Sequence, residues 1–205
     1  IMDVSKKNSA FQTGEQAIKD LEADAFDESE TYGFRYIWKD GSTEENEEVV
    51  AYCKQKWIDF YKFVVNSDDK TFHDRFSDYF VANSALYFYL FTLRYTMVDN
   101  RAKNTFWHYG KTGETGPDGQ PVRKWDLSFD YDNDTALGIN NYGRMTFRYG
   151  YEDIDVEDGT TTEVFRESKS TFFCRLRDLF AKELKELYNT LESQSAWSAT
   201  GLINQ

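Results

Sequence analysis

The chain has 205 residues, a formal net charge of −12 and aromatic side chains at 18% of its positions, which favours a single folded acidic domain over a disordered chain. An acidic surface repels phosphate backbones, so direct binding of nucleic acid is disfavoured. No apolar run is long enough to span a bilayer, and the two cysteines and two histidines are too scattered for a zinc site.

The residue pattern in the first part of the chain predicts two helices separated by a strand. A loop is predicted over residues 1–12, a short helix over 14–25, and a strand over the alternating aromatic stretch 34–38. A long helix is predicted to begin near Ser42 or Thr43, because either hydroxyl can cap it and glutamates follow at once. Its apolar residues recur at helical spacing: Val49, Val50, Cys53, Trp57, Phe60, Tyr61 and Val64.

A second helix is predicted to follow directly. Ser67 or Asp68 is expected to cap it, and Phe72, Phe76 and Phe80 stand one turn apart along it.

The helix predicted over 85–98 is apolar on nearly every side, which is typical of a helix buried in a core. Asn83 or Ser84 is expected to cap it. The apolar residues that lead to this prediction are Leu86, Phe88, Leu90, Phe91, Leu93 and Met97.

The second half alternates strand and loop signals before it ends in a helix. Strands are predicted over 105–109, 122–129 and 144–149, with a Gly- and Pro-rich hairpin loop over 110–121 and acidic loops over 130–141 and 152–162. A helix is predicted over 168–191, and we interpret Cys174 in it, like Cys53, as a buried free thiol. Its apolar face comprises Phe172, Phe173, Leu176, Leu179, Phe180, Leu184, Leu187, Tyr188 and Leu191.

These elements predict an α+β fold, with a mostly helical body and a small antiparallel sheet inserted after the buried helix. We expect one domain over residues 1–205, in which 46–205 form the core and 1–45 form an arm or strand region. Because the chain starts at Ile1 and stops at Gln205 without a turn-like tail, we expect it to be a segment of a longer polypeptide.

One set of residues is suited to chemistry. Asp99 and Asn104 are separated by four residues after the buried helix, and Asp130 and Asp132 follow the predicted hairpin. Such carboxylate and amide oxygens can hold Mg²⁺ or Ca²⁺, and phosphoryl transfer needs them beside a carboxylate that orients the nucleophile. Three interpretations stay open: purely structural roles, a bound structural cation, and phosphoryl transfer. Asp134 extends a calcium-loop-like spacing, but the glycine and glutamate of a true EF-hand loop are missing.

The order of helix, Asp99, Asn104, hairpin and Asp130 resembles the C-terminal lobe of atypical kinases of the spore-coat CotH type. By that resemblance the fold is kinase C-lobe-like, Asp99 is the catalytic base, Asn104 and Asp130 hold metal, and Asp132 assists. The sequence departs from the kinase pattern, since the two residues before Asp99 are not His-Arg and no Gly-rich phosphate loop precedes them. His73 and His108 are interpreted as structural.

Several longer blocks carry a second resemblance, which spans residues 70–200. The blocks are 93–104, 129–138, 140–143, 149–153 and 192–200. Together they resemble tail or collar (muzzle-like) structural proteins of short-tailed, crAss-like or related gut phages.

This resemblance implies a virion component of the phage tail, made in the bacterial host cytoplasm and present in several copies. Its implied partners are copies of itself and other tail or portal-region proteins, without direct nucleic-acid contact and without a membrane span. The loops over 110–121 and 152–162 are expected to contact neighbours, because long polar loops often carry binding. The alternatives are a CotH-like Mg-dependent protein kinase and a non-catalytic scaffold stabilised by Mg²⁺ or Ca²⁺.

Overall fold

The computed structural model describes residues 2–4, 11, 13–15, 18, 19, 22, 47–95, 97, 100, 105–130, 136, 170–194, 197 and 198, with the backbone alone at 2–4, 47, 50 and 128–130. Within these residues the fold is α+β, as predicted, with five helices and a three-stranded sheet. The helices are α1 (Glu47–Asn66), α2 (Asp69–Tyr79), α3 (Ala82–Arg94), α4 (Thr171–Leu179) and α5 (Ala181–Glu192). The strands are β1 (Met2–Val4), β2 (Thr105–Thr115) and β3 (Pro121–Asp130).

Some predicted elements fall outside the described residues. These are the strands over 34–38 and 144–149, the loop over 152–162, most of the loop over 130–141, and the start of the long helix near Ser42 or Thr43. Of the helix predicted over 14–25, the described residues Glu15, Ile18, Lys19 and Glu22 are helical.

The sheet has the order β1-β2-β3, and both pairings are antiparallel. In β1, Met2 lies opposite Trp107 and Val4 lies opposite Thr105, so the predicted loop over 1–12 is wrong at this point. A three-residue strand is too short to show alternation in the sequence. It forms because the edge of β2 offers backbone groups that need partners.

The hairpin between β2 and β3 is longer than predicted. β2 continues to Thr115, so much of the predicted loop over 110–121 is strand. A tight turn closes it, in which the Gly116 amide donates to the Gln120 carbonyl at 2.8 Å. Gly119 in this turn has φ +78, a left-handed conformation that favours glycine. The glycines and prolines suppress the strand signal over the whole segment.

The core is built mainly from aromatic rings. Phe172 of α4 lies near its centre, with ring centroids 5.3 Å from Trp107 and 5.7 Å from Phe80. Phe11 is also fully buried and lies 5.4 Å from the Phe172 ring, so the first 45 residues contribute to the core. The largest fully buried side chains are Trp57, Trp107, Trp125, Phe11, Phe60, Phe72, Phe76, Phe80, Phe172 and Phe173. Each stabilises the fold by roughly 1.5–3 kcal/mol through burial.

Helix α2 begins as predicted. The Asp68 side chain accepts a hydrogen bond from the Thr71 amide at 2.8 Å and caps the helix. The Thr71 amide and hydroxyl both lower the pKa of Asp68 by stabilising its charged form.

Helix α3 differs from the prediction at both ends. It begins after Val81 without a side-chain cap, so the expected cap at Asn83 or Ser84 is wrong. The Ser84 hydroxyl instead accepts a hydrogen bond from the Leu127 amide of β3 at 3.2 Å. A contact with a strand that is distant in the sequence therefore replaces the local cap.

The C-terminal end of α3 is Arg94, not residue 98. The Met97 amide donates to the Thr92 carbonyl at 2.9 Å, which turns the chain out of the helix while Met97 itself stays buried. Leu93 is 41% exposed, so the helix is not buried on every side. The predicted range 85–98 merged the helix with the turn because both are apolar.

The helix predicted over 168–191 is divided into α4 and α5 at Phe180. Phe180 leaves the helical conformation, with φ −113 and ψ 27, and its ring packs 5.2 Å from Phe76. The burial of this ring explains a break that helical periodicity does not reveal. The Ser170 hydroxyl caps α4 by accepting from the Phe173 amide at 3.5 Å.

Neither cysteine forms a disulfide. Cys53 and Cys174 are half-buried, so their predicted burial is only partial. Among the described residues, no helix combines the length and the apolar character that a membrane span requires.

Candidate functional site

The predicted acidic site lies largely outside the described residues. Asp99, Asn104, Asp132 and Asp134 are not described, and Asp130 is described by its backbone alone, at the end of β3. Within the part of the chain that the structure describes, no group of three or more His, Cys, Asp or Glu residues could hold a metal ion. The cation site and the kinase-like roles therefore stay predictions.

The hairpin nevertheless defines one position next to the predicted acidic site. Thr105, the residue after Asn104 in the sequence, lies directly opposite Asp130 in the β2–β3 ladder. Because α3 ends at Arg94 and not at residue 98, Asp99 comes five residues after the helix in the sequence and not directly after it.

The two histidines make contacts between elements, in agreement with the structural interpretation. His108 Nδ1 lies 3.5 Å from the Asp126 carboxylate across the hairpin. His73 Nε2 lies 3.4 Å from the Glu183 carboxylate, which links α2 to α5. At these lengths both contacts are weak hydrogen bonds.

The hairpin is fixed to the body by two buried tryptophans. Trp107 is 1% exposed and Trp125 is 2% exposed. The Trp125 indole donates to the Lys56 carbonyl of α1 at 3.3 Å, and the Trp125 carbonyl accepts from the Val81 amide at 2.8 Å. The Trp125 ring also packs edge-on against Trp57, with centroids 5.2 Å apart. The root of the hairpin is thus held from two sides.

Beyond this root the hairpin extends out of the core. None of the residues 111–123, which we call the hairpin arm, is buried. At about 3.4 Å per residue, the strand from Lys111 to Thr115 adds roughly 14 Å. Lys124, at the base of the arm, pairs with Glu114 at 3.2 Å across the two strands, and Asp118 accepts from the Gln120 amide at 3.0 Å in the turn.

Where the arm leaves the core, basic and aromatic side chains lie together. In the ladder, Lys111 of β2 lies opposite Arg123 of β3, and Tyr109 lies opposite Trp125. Residues two apart in a strand and residues paired across it point to the same face, so these four side chains share one face of the hairpin. Tyr52 of α1 is 48% exposed, and its ring lies 6.1 Å from the Tyr109 ring. We call Tyr52, Tyr109, Lys111 and Arg123 the basic-aromatic patch.

Burial and a hydrogen bond with Tyr52 raise the pKa of Tyr109, while the positive charge of Arg123 acts in the opposite direction. Tyr109 is therefore a neutral phenol at physiological pH. The patch combines two tyrosine rings with two cationic side chains.

The two cations of the patch are arranged unfavourably for the isolated chain. Like charges directly opposite in an antiparallel pair destabilise the sheet. Among the described residues neither Lys111 nor Arg123 forms an ion pair, whereas the neighbouring Lys124 pairs with Glu114. The sequence prediction missed this patch because residues 110–121 were assigned to a loop. The alternation of Tyr109 with Lys111, and of Arg123 with Trp125, is the signal that points to it.

The chain was compared with known proteins in three ways. No protein-family model matches it, and no curated protein matches it. No solved structure matches it either. The resemblances to phage tail proteins and to CotH-type kinases therefore remain predictions from the sequence.

Proposed function

We propose that this chain is a structural domain of a phage tail, in which the hairpin arm contacts a neighbouring chain. The observation that carries the proposal is the contrast along one hairpin. Trp107 and Trp125 at its root are almost fully buried, whereas no residue of 111–123 is buried. A rigid base with an exposed extension is a suitable geometry for an assembly contact.

The energetics of the arm support this function. A two-stranded hairpin that packs on nothing is marginally stable in water, and the opposed cations of Lys111 and Arg123 weaken it further. A neighbouring chain that covers the arm would give the hairpin a surface to pack on and could offset the repulsion between Lys111 and Arg123. Exposed loops and hairpins on rigid scaffolds often carry binding for the same reason.

The sequence resemblance supplies the setting. It suggests a virion protein present in several copies around the tail, with other copies and other tail or portal-region proteins as partners. The acidic charge of −12 agrees with contacts to protein rather than to DNA.

The test is cross-linking of purified phage particles with an amine-reactive reagent, followed by mass spectrometry. Lys111, which is exposed, and Lys124, which is partly exposed, lie at the base of the arm, and the exposed Lys182 and Lys185 of α5 are controls outside it. We expect the arm lysines to form links to other chains more often than the controls do. Absence of the chain from particles, or arm lysines that link only within their own chain, would contradict the proposal.

A second candidate function is a CotH-like Mg-dependent kinase. The specific observation in its favour is the ladder position of Asp130 opposite Thr105, the residue that follows Asn104. Calorimetric titration with Mg-ATP tests it on the full-length protein. Binding that is lost in Asp130→Ala but kept in the β3 control Asp126→Ala would support the kinase. An unchanged affinity in Asp130→Ala would exclude it.

The third candidate is a scaffold stabilised by a divalent cation without catalysis. Since a ligand that binds only the folded state stabilises it, Ca²⁺ or Mg²⁺ should raise the melting temperature. The rise should disappear in Asp130→Ala. If neither cation changes the melting temperature of the wild-type protein, this candidate is wrong.

A further inference from the structure

We propose that β2 binds an extended acidic segment of a different protein chain along its open edge, in line with β1. The open edge is the stretch 108–112 of β2, on the side of the strand where β1 pairs. The inference rests on the proposed function, since it names how the base of the hairpin arm would hold a neighbouring chain. It is carried by the strand pairing of β2 and by the position and charge of Lys111.

The outer edge of β2 is only partly occupied. β1 pairs with β2 from Thr105 to Trp107, whereas β2 continues to Thr115. Among the described residues outside the hairpin, none pairs its backbone with the stretch 108–112. Unpaired backbone groups at the edge of a sheet are a template for another strand. The pairing of β1 shows that this edge accepts a strand in antiparallel orientation.

The edge on the other side of the sheet is less available. The Trp125 carbonyl of β3 accepts from the Val81 amide at 2.8 Å, and the Leu127 amide donates to the Ser84 hydroxyl at 3.2 Å. β3 also begins at Pro121, which has no amide hydrogen to donate. An added strand is therefore expected on β2 and not on β3.

The pairing between β2 and β3 defines the length of the added strand. From His108 to Lys111 the residues of β2 pair with β3 in one continuous register, and the register shifts between Lys111 and Thr115. Such an irregularity bends and twists a strand and ends its regular pairing. The regular edge beyond β1 therefore holds about five residues of an added strand, which is an ordinary strand length.

The side chains on one face of the open edge define the chemistry of the segment. Tyr109 and Lys111 share that face, and side chains directly opposite each other in an antiparallel pair lie on the same face. A carboxylate opposite Lys111 would pair with its exposed ammonium group, and the residue two positions later in the segment would lie opposite Tyr109. Tyr52 adds apolar area there, because its ring is 48% exposed and lies 6.1 Å from the Tyr109 ring. The segment thus carries an acidic residue two positions before an aromatic or aliphatic one.

Arg123 strengthens the preference for an acidic segment. It lies opposite Lys111 on β3, two strand spacings from the added strand, which is roughly 10 Å. Charges interact over about that distance at moderate salt. Among the described residues neither cation forms an ion pair, whereas the neighbouring Lys124 does. Both cations therefore attract a carboxylate at this position, while the backbone hydrogen bonds of an added strand supply affinity for any sequence.

Charge also favours a different chain over a second copy. Each copy has a net charge of −12, and a large net charge of one sign keeps identical molecules apart. Pairing of two β2 edges would also bring two basic edges together, and a lysine on an edge strand is a common protection against such self-pairing. A short acidic segment meets only the local field of Lys111 and Arg123, because more distant charges are screened.

The first experiment selects binders from a display library of short random peptides, with the 205-residue protein as the target. We expect the wild type to enrich peptides with an acidic residue two positions before an apolar one. Lys111→Glu should enrich a basic residue at the acidic position, because reversal of one charge reverses the preference for its partner. This variant should fold, since it replaces a pair of like charges with Arg123 by a pair of opposite charges. The control Lys185→Glu on α5, at an exposed position with the same change in net charge, should retain the wild-type motif.

The most enriched peptide is then titrated against each variant by fluorescence anisotropy. We expect Lys111→Glu to weaken its binding by at least about tenfold and Lys185→Glu by less than about twofold. Equal weakening by the two variants would show that only net charge matters and would overturn the inference. Absence of enrichment by the wild type, or an enriched motif without an acidic residue, would overturn it as well.

Methylation of the peptide backbone distinguishes strand addition from docking by side chains alone. Each synthetic version of the enriched peptide carries one N-methyl group, which removes one amide donor. In an antiparallel pair, alternate residues direct their backbone groups to the neighbouring strand. Methyl groups at alternate positions should therefore abolish binding, and those at the intervening positions should be tolerated. The same effect at every position would contradict the addition of a strand to β2.

Sedimentation velocity tests the identity of the partner. We expect the isolated protein to remain monomeric, since the segment belongs to another chain. Self-association that is lost in Lys111→Glu and retained in Lys185→Glu would show that a second copy occupies the edge. That result would overturn the assignment to a different chain.

The failure of this inference is distinguishable from the failure of the proposed function. If no enriched motif depends on Lys111 while the arm lysines still cross-link to other chains in particles, the mode of binding is wrong and the structural role stands. If the arm lysines form no links between chains in particles, the structural role itself is wrong.

Discussion

Replacing Trp125 with alanine should destabilise the fold and loosen the base of the hairpin arm. Trp125 is 2% exposed, and its ring packs between Trp57 and Tyr109 with centroids 5.2 and 5.1 Å away. Its indole also donates to the Lys56 carbonyl at 3.3 Å. Removing the ring leaves a cavity in a core in which neighbouring aromatic groups cannot collapse without breaking their own contacts.

The expected loss is about 3–5 kcal/mol in the free energy of unfolding, as for other buried large aromatic residues. This corresponds to a change in the folding equilibrium of roughly 100-fold to several thousandfold. Trp125→Phe retains most of the packing but removes the indole donor, so we expect a loss of about 1–2 kcal/mol. Tyr188→Phe, at a position that is 40% exposed, should change stability by less than about 0.5 kcal/mol.

The assay is urea unfolding followed by circular dichroism in the far ultraviolet, which does not depend on tryptophan fluorescence. The free energies are compared only if the dependence on urea is the same for all variants. A loss below about 1 kcal/mol in Trp125→Ala would refute the claim that this residue anchors the arm. Equal losses in Trp125→Phe and Trp125→Ala would show that packing is not the source of the stability.

Three further changes test local features of the fold. Ser170→Ala removes the cap of α4 and should cost about 1 kcal/mol in urea unfolding. The pKa of Asp68 is lowered below 3.8, so its charge stabilises the fold above pH 3.8, and this stabilisation is lost as the pH falls through the lower folded pKa. Asp68→Asn should therefore lower the urea midpoint at neutral pH, and the difference from the wild type should shrink as the pH falls below 3.8. A Cβ at Gly110 would lie 2.0 Å from His108 Cε1, so Gly110→Ala should destabilise the wild type. In a His108→Ala background the same substitution should be neutral or stabilising, and a double-mutant cycle measures the difference.

Features of the fold that depend on nearby residues were predicted from the sequence. The cap at Asp68 needs only a carboxylate before a helix start, and the buried faces of α2 and α4 follow from the spacing of their phenylalanines. The α+β class follows from the succession of these periodic segments.

Features that depend on distant partners were not predicted. The Ser84 hydroxyl bonds to β3 instead of capping α3, and the ring of Phe180 turns toward α2 and breaks a helix that periodicity would continue. β1 forms only because the edge of β2 is available. Such outcomes are decided by tertiary contacts, which carry no local signature in the sequence.

The candidate site also depends on tertiary contacts that the sequence does not reveal. The residue types at Asp99, Asn104 and Asp130 suggest chemistry, but their use depends on side-chain positions that a motif does not specify. For the basic-aromatic patch, the side-chain positions are described, but the sequence prediction missed the patch. The alternation of Tyr109 with Lys111 and of Arg123 with Trp125 is visible in the sequence, but only the strand register places Lys111 opposite Arg123.

Hydrogen–deuterium exchange of the assembled phage particle and of the isolated chain tests the role of the hairpin arm most directly. None of the residues 111–123 is buried in the isolated chain, so a neighbour that covers the arm must slow the exchange of its backbone amides. The account predicts slower exchange over 111–123 on assembly and unchanged exchange over α5. Equal exchange of the arm in both states would contradict the account.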